Sequence, residues 1–256
     1  MEHATAVGRH GARRAPARIG VLGFLGELLL TGGVVVGLFV VWQLWWTGLA
    51  PAAEAREQVT RFYAHVEPAA PEVVEPDGLR TDDVPEVAQV GHGETLGVLI
   101  VPAWADKTQN RMPVVEGVTP DVLDRAFAGH YPDTAAPGQL GNFSVAGHRR
   151  SYGNNFLHVP DLEAGEAVVV ETADTWFVYR VTGHEIVTPD RTDVVAPVPG
   201  KPGEEPDRRM LTMTTCHSLR YGAFGNDHRW IVHAELEGWL PRSAGTPDVV
   251  AEMEAP

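Results

Sequence analysis

Hydrophobic and polar positions divide the chain into distinct textures. From Ile19 to Trp46 the apolar residues are almost unbroken, and Glu27 is the single charge. Leu28–Trp46 alone gives 19 uncharged residues, about the length of one helical crossing of a hydrocarbon core. A cleavable signal has a shorter apolar stretch, about 7–15 residues. The pattern therefore predicts an uncleaved transmembrane anchor over 19–46. A short helix over 52–66 follows, and then the segment "EPAAPEVVEPDGLRTDDVPEVAQV". Its proline and acid content predicts an extended, disordered spacer, so that 47–90 reads as a helix plus spacer.

From 91 to 240 short β-prone runs alternate with Gly, Pro and Asn turns: "TLGVLIVP", "GNFSVAGH", "EAVVVET", "TWFVYRVTGHEIV", "RMLTMTTC" and "RWIVHAELEGWL". Such spacing predicts an all-β domain, a barrel or a sandwich. One short helix is expected in "TPDVLDRAF", with Thr119 as N-cap, Pro120 in its first turn and Gly129 beyond its end. Residues 188–209 form a Pro/Gly loop, and loops of such length are often functional. The tail 241–256 reads as polar coil.

Charge sharpens the picture at the N-terminus. Residues 1–18 hold Arg9, Arg13, Arg14 and Arg18 against Glu2, while the rest of the chain carries a net charge of -17. The basic tail predicts a cytoplasmic N-terminus, with everything beyond Trp46 outside the cell membrane. Trp42, Trp45 and Trp46 sit where indoles favour the far interface. The acidic remainder repels phosphate backbones, which excludes nucleic acid as a natural partner.

Cys216 is the only cysteine, so no intramolecular disulfide supports the fold. Alternation along "RMLTMTTC" places Met210, Thr212, Thr214 and Cys216 on one face and Leu211, Met213 and Thr215 on the other. In "RWIVHAEL", Arg229, Ile231, His233 and Glu235 lie opposite an apolar row begun by Trp230. If the two strands pair, with Gly222 and Gly225 in the turn, Cys216 and Arg229 come together. A nucleophilic thiol needs a proton carrier and a donor for the developing oxyanion. Arginine suits the last role. Of the eleven histidines, His148 ends a strand-like run just before a Gly/Asn turn, a place from which a side chain can enter a cleft. Read alone, a lone cysteine is more often a small buried hydrophobe than a nucleophile.

Several segments resemble one family in order. "TMTTCH" resembles the Thr-Leu-x-Thr-Cys signature of sortases, the cysteine transpeptidases of the Gram-positive surface. "LGVLIVPAW", "PVVEGVTPDVL", "AGHYPDTAAPGQLGNFSVAGHR" and "RWIVHAEL" resemble, in order, the family's first barrel strand, the two segments leading to its histidine, and the strand of its arginine. The anchor segment and "GHYP" resemble the class E branch, found mainly in actinobacteria. The resemblance implies a closed sortase-type β-barrel with short helices over 91–240, behind one transmembrane helix. It implies Cys216 as nucleophile, His148 as proton carrier and Arg229 as oxyanion donor, with Thr214 and Thr215 as substrate contacts and no metal or cofactor. The implied partners are secreted proteins with a C-terminal sorting signal of Leu-Ala/Pro-x-Thr-Gly type and a peptidoglycan precursor amine. Ser218 stands where the family often has proline, and the lengthened "LRYGAFGNDH" makes Arg220 a competitor for Arg229.

Other readings remain. An L,D-transpeptidase usually has Ser-His-Gly before its cysteine, where this chain has Thr214 and Thr215. A catalytically silent membrane-tethered β-domain is a non-enzymatic alternative. His217, His228 and His233 lack a zinc spacing, and the acids Glu204, Glu205 and Asp207 could suggest calcium but suit a solvated loop.

Overall fold

The computed structural model of the chain describes residues 20–107, 109–220 and 226–254, with the side chains of 43–47 outside the described set. The basic tail, Gly222 and Gly225, and the indoles of Trp45 and Trp46 therefore lie outside the described residues and side chains. Contacts divide the chain into two units, residues 1–44 and 45–256. The first contains the start of helix α1 (Val21–His65). Its span Val21–Trp42 has a mean hydropathy of 2.2 and no buried surface, and is long enough to cross a membrane.

In the second unit α1 continues through Pro51 to His65, so the helix expected over 52–66 is the end of a longer one. Apolar residues on this part face the barrel. Ala55 packs with Val115, Val122, Ala126 and Phe127, and Val59, Phe62 and Tyr63 join a cluster around Val98, Ile100 and Val169.

After a two-residue strand β1 (Val73–Val74) come β2 (Thr95–Ile100) and β3 (Arg111–Glu116), the helical turn α2 (Pro120–Leu123), β4 (Ala128–His130) and β5 (Gly141–Gly147). β6 (Ala167–Glu171), β7 (Thr175–Val187), β8 (Arg209–His217) and β9 (His228–Pro241) complete the main strands. They close into a barrel in the order β2-β3-β4-β5-β8-β9-β7-β6. The expected all-β class and closed barrel are what the chain forms. The core is the alternate row of each strand: Leu99, Val114, Phe143, Val145, Val168, Phe177, Tyr179, Leu211, Met213, Val232 and Ala234 are buried together. β5 is buried on both faces, because loop segments also cover its outer side.

Three expectations change. Residues 67–90, read as a disordered spacer, lie along the barrel. Arg80 exchanges backbone hydrogen bonds with Trp239, and the Trp239 indole donates to Asp82 O at 2.7 Å. Val84, Val87 and Val90 pack against the core. Composition registered the prolines and acids but not this three-residue spacing of valines. The tail after 240 is no coil: β10 (Thr246–Pro247) pairs in parallel with β1, and α3 (Asp248–Glu254) buries Val250. The helix at "TPDVLDRAF" is a single turn, and Ala126, at φ 59°, ends the segment before Gly129 enters β4.

A buried charge cluster fastens these outer segments. Arg242 Nε donates to Glu171 Oε1 at 2.8 Å, and its Nη1 reaches Glu67 O and Ala173 O. Tyr63 donates to Glu171 Oε2 at 2.6 Å and accepts from Arg111 at 2.7 Å. Burial pushes the Glu171 carboxyl up, while the Tyr63 bond, Arg242 and Arg111 pull it back. Burial, and next the charge of Glu171, push the Tyr63 hydroxyl up, so it remains a donor. Removing one partner strands a buried charge, which typically costs about 3–5 kcal/mol. Arg242→Met is therefore expected to lower the Tm of the detergent-solubilised chain by roughly 10 °C. Thermal melts of both proteins check this, and a shift within about 2 °C would mean the cluster contributes little.

Candidate active site

Three neighbouring strands end at the same edge of the barrel. β5 and β8 run parallel, and their last pair is Gly147↔Thr215. One residue further, His148 leaves β5 beside Cys216 on β8. β8 and β9 run antiparallel with Cys216↔Arg229 as direct cross-strand partners. Adjacent strands lie about 4.8 Å apart, so His148, Cys216 and Arg229 form one row with the thiol at its centre. Cys216 is partly buried and free. Arg220 lies exposed on the β8–β9 connection, outside the paired strands, whereas Arg229 is the cross-strand partner of Cys216.

His148 is oriented by a residue that sequence reading missed. Its Nε2 lies 2.8 Å from Asp124 Oδ1, just after α2. A carboxylate only accepts, so Nε2 carries a proton and Nδ1 is the nitrogen left to take or give one. The Tyr152 ring packs against the imidazole at 4.9 Å. The turn after His148 closes when Phe156 N donates to His148 O at 2.9 Å. Gly147 permits this closure: a Cβ there would lie 2.5 Å from the Phe156 ring. The only available signal for Asp124 was an acid closing the "TPDVLD" turn, and nothing in the sequence ties it to a histidine 24 residues away.

Arg229 Nη1 donates to Asn226 O at 2.8 Å and His228 O at 2.9 Å. These bonds hold the guanidinium at its own turn. Arg229 also lines a cleft of about 100 Å³ together with Tyr131, Val187, Thr192, Val195, Thr214 and Ile231. Tyr131 Oη and Thr214 Oγ1 are 3.0 Å apart. Larger cavities of about 470 and 490 Å³ lie elsewhere, and neither is lined by Cys216, His148 or Arg229. The small cleft is the one that includes Arg229, the cross-strand partner of Cys216, and Thr214, two residues before Cys216.

The two threonines part company. Thr214 faces the cleft. Thr215 faces inward, is 3% exposed, and donates its hydroxyl to Gly147 O at 2.8 Å. It ties β8 to β5 rather than meeting the cleft. His217 also lies on the inner side, where its Nδ1 accepts from Arg149 Nη1 at 2.6 Å and its ring meets Trp230 edge-on. Among the described residues no three His, Cys, Asp or Glu side chains are grouped to hold a metal. The loop acid Glu204 pairs with Lys201, and Asp207 lies 4.0 Å from Arg208.

Comparison with known proteins joins this geometry to a family. Residues 104–237 match the Sortase domain. The chain belongs to the sortase family. Sortase SrtE2 of Streptomyces coelicolor is 32% identical over 92% of this chain and 90% of that protein, which places the chain with class E. Sortase SrtE1 of the same organism is 33% identical over 93% of this chain and 64% of that protein. The chain thus spans just under two thirds of that relative's length. The structure of SrtA sortase from Actinomyces oris is 51% identical, covers 67% of this chain and 95% of that one, and superposes with a TM-score of 0.65. Sortase E1 of Streptomyces coelicolor, solved with a tripeptide in its active site, is 34% identical over 62% of this chain and 96% of that one, with a TM-score of 0.54.

The His217 environment makes a pH prediction. Burial lowers its pKa below the ordinary histidine value, and Arg149 lowers it further. The unfolded chain then binds the proton more readily than the fold. This stabilisation is complete above the ordinary value of about 6.5 and is lost as pH falls through the folded value. His217→Asn is expected to flatten part of the fall in Tm between pH 7 and pH 5. Melts across pH 5–8 compare the slopes, and parallel curves for the two proteins would count against it.

Proposed function

We propose that this chain is a membrane-anchored cysteine transpeptidase that cleaves a C-terminal sorting signal between Thr and Gly. It then joins the new Thr carboxyl to a peptidoglycan amine. The observation that carries this reading is the row His148–Cys216–Arg229 on three adjacent strand ends, with Arg229 lining a narrow cleft. The basic N-terminal tail supports an orientation with the catalytic domain outside the cytoplasm. There, secreted proteins and the acceptor are both within reach.

In the first half, Cys216 Sγ as thiolate attacks the carbonyl carbon of the signal's threonine and forms a C–S bond. Arg229 meets the oxyanion by exchanging a backbone carbonyl for the substrate oxygen. His148 delivers its proton to the glycine nitrogen as the C–N bond breaks, leaving a thioester. In the second half the acceptor amine attacks that thioester. His148 takes the amine's proton, the new C–N bond forms, and the thiolate leaves. Asp124 keeps the imidazole oriented in both directions. Thr214 and Tyr131 border the signal just before the attacked bond. Thr215 acts on the site only through the β5–β8 tie. A signal of Leu-Ala-x-Thr-Gly type fits the class E placement.

The test uses the full chain in detergent with fluorogenic Leu-Ala-x-Thr-Gly and Leu-Pro-x-Thr-Gly peptides and an amine acceptor. Mass spectrometry is expected to find Thr-linked product and a thioacyl adduct at Cys216, both absent in Cys216→Ala. His148→Ala and Arg229→Ala are expected to lower kcat/KM by roughly 10²–10⁴. Asp124→Ala, which only frees the ring, should cost about tenfold. A folded protein that yields neither cleavage nor adduct, with Cys216 inert to alkylation, would support the silent binding domain instead.

A further inference from the structure

One end of helix α1 packs against the turns that orient His148. Within the second unit Ala52, Ala55, Val59, Phe62 and Tyr63 fall on one helical face, the spacing of an amphipathic helix laid on a surface. Tyr63 holds the far end of this face through Glu171, and Gln58 Nε2 holds its middle by donating to Thr95 Oγ1 at 2.7 Å. The near end, Ala52 and Ala55, is 7% and 5% exposed.

The first turn it meets carries Asp124. Helix α2 is a single turn, and its N-cap residue Thr119 makes no side-chain capping bond, so burial rather than capping seats it. Val122 and Ala126 are buried with Val115, Phe127 and Ala55 in a cluster separate from the barrel interior. Ala55 is the α1 member of that cluster. Arg125 also reaches α1, with Nε 2.8 Å from Glu54 Oε1, but that pair is exposed and contributes little.

The second turn carries Tyr152, whose ring packs on His148. Asn155 Nδ2 donates to Phe127 O at 2.9 Å and ties this turn to the first. Gln109 Nε2 donates to Gly153 O. A Cβ on Gly153 would lie 2.7 Å from Ala126 Cβ and 3.2 Å from Ala52 N, so both turns and the helix backbone meet at one junction. Ala126, Tyr152 and Asn154 sit at this junction with φ of 59°, 46° and 57°. Left-handed backbone at such residues persists where the surrounding packing imposes it.

Asp124 and Tyr152 thus touch His148 from two turns that share one support. We propose that Ala52 and Ala55 are positioning residues for His148. The end of α1 closes the junction, the junction sets Asp124 and Tyr152, and these two set the imidazole. The effect on turnover rests on the transpeptidase reading, while the junction itself is a property of the fold.

The test uses the full chain in detergent, below the melting range of every variant. Ala52→Leu and Ala55→Leu overfill the junction. Ala55→Gly removes a methyl there instead, and keeps the test open if overfilling prevents folding. Phe62→Leu loosens the same helix towards its other end and serves as control. Hydrogen exchange of 122–127 and 151–156 is expected to rise about tenfold in the junction variants and to stay within about twofold of wild type in Phe62→Leu. In peptide cleavage the junction variants should lower kcat about tenfold and leave KM within about twofold, because a misplaced proton carrier slows the chemistry rather than binding. In a chain already carrying Asp124→Ala and Tyr152→Ala they should cost less than about twofold, since nothing is left for the junction to position.

A further tenfold loss in that background overturns the positioning role, and so does an unchanged kcat in the wild-type background. Exchange that ignores Ala52→Leu, Ala55→Leu and Ala55→Gly overturns the junction, whatever the enzyme does. Wild-type protein that cleaves neither peptide refutes the transpeptidase reading, and the role in turnover with it, while the exchange result still decides the junction.

Discussion

The cleft depends on the register of one strand. β8 lies between β5, which it joins in parallel, and β9, which it joins antiparallel, and both ladders are continuous over its length. Side chains alternate between faces with a period of two, so a slip of one residue would send Cys216 into the core and Thr215 out. Leu211 and Met213 oppose that slip because they fill the barrel interior. The hydroxyl of Thr215, bonded to the last carbonyl of β5, ties the end of the strand itself. The thiol is thus placed by core packing and a backbone tie rather than by contacts of its own.

Around this register the fold adds fixed orientation to each functional side chain from a different part of the chain. Asp124 turns His148 from a loop two strands away, and the turn carbonyls Asn226 and His228 hold Arg229 from within its own connection. The 192–196 segment, which lines the cleft, hangs from Asn142 on β5. The outer segments have their own anchor in the Glu171–Arg242–Tyr63–Arg111 cluster, on the other side of the barrel from the β5–β8–β9 strand ends in the strand order. A buried set of charges confers little net stability but penalises misdocking, since any missing partner leaves a charge stranded. It therefore specifies where the helix and the C-terminal segment lie on the barrel.

The sequence by itself determined the strand faces and the long apolar span. Alternation marked Cys216, Thr214 and Arg229 as sharing the less apolar faces, because burial of one row per strand is a local, period-two demand. The unbroken apolar run marked 19–46 for the same kind of reason, since length and composition alone decide it, and the apolar helical span Val21–Trp42 lies within it. What the tertiary structure decided was every relation between distant segments. Asp124 beside His148, the Thr215 hydroxyl on Gly147 O, the valines of 67–90 on the core, and the Asn142 amide on Val194 O and Ala196 O each join residues with no shared local pattern. Side-chain hydrogen bonds carry no periodicity, so only the closing of the barrel, which sets β8 between β5 and β9, brings these partners within reach.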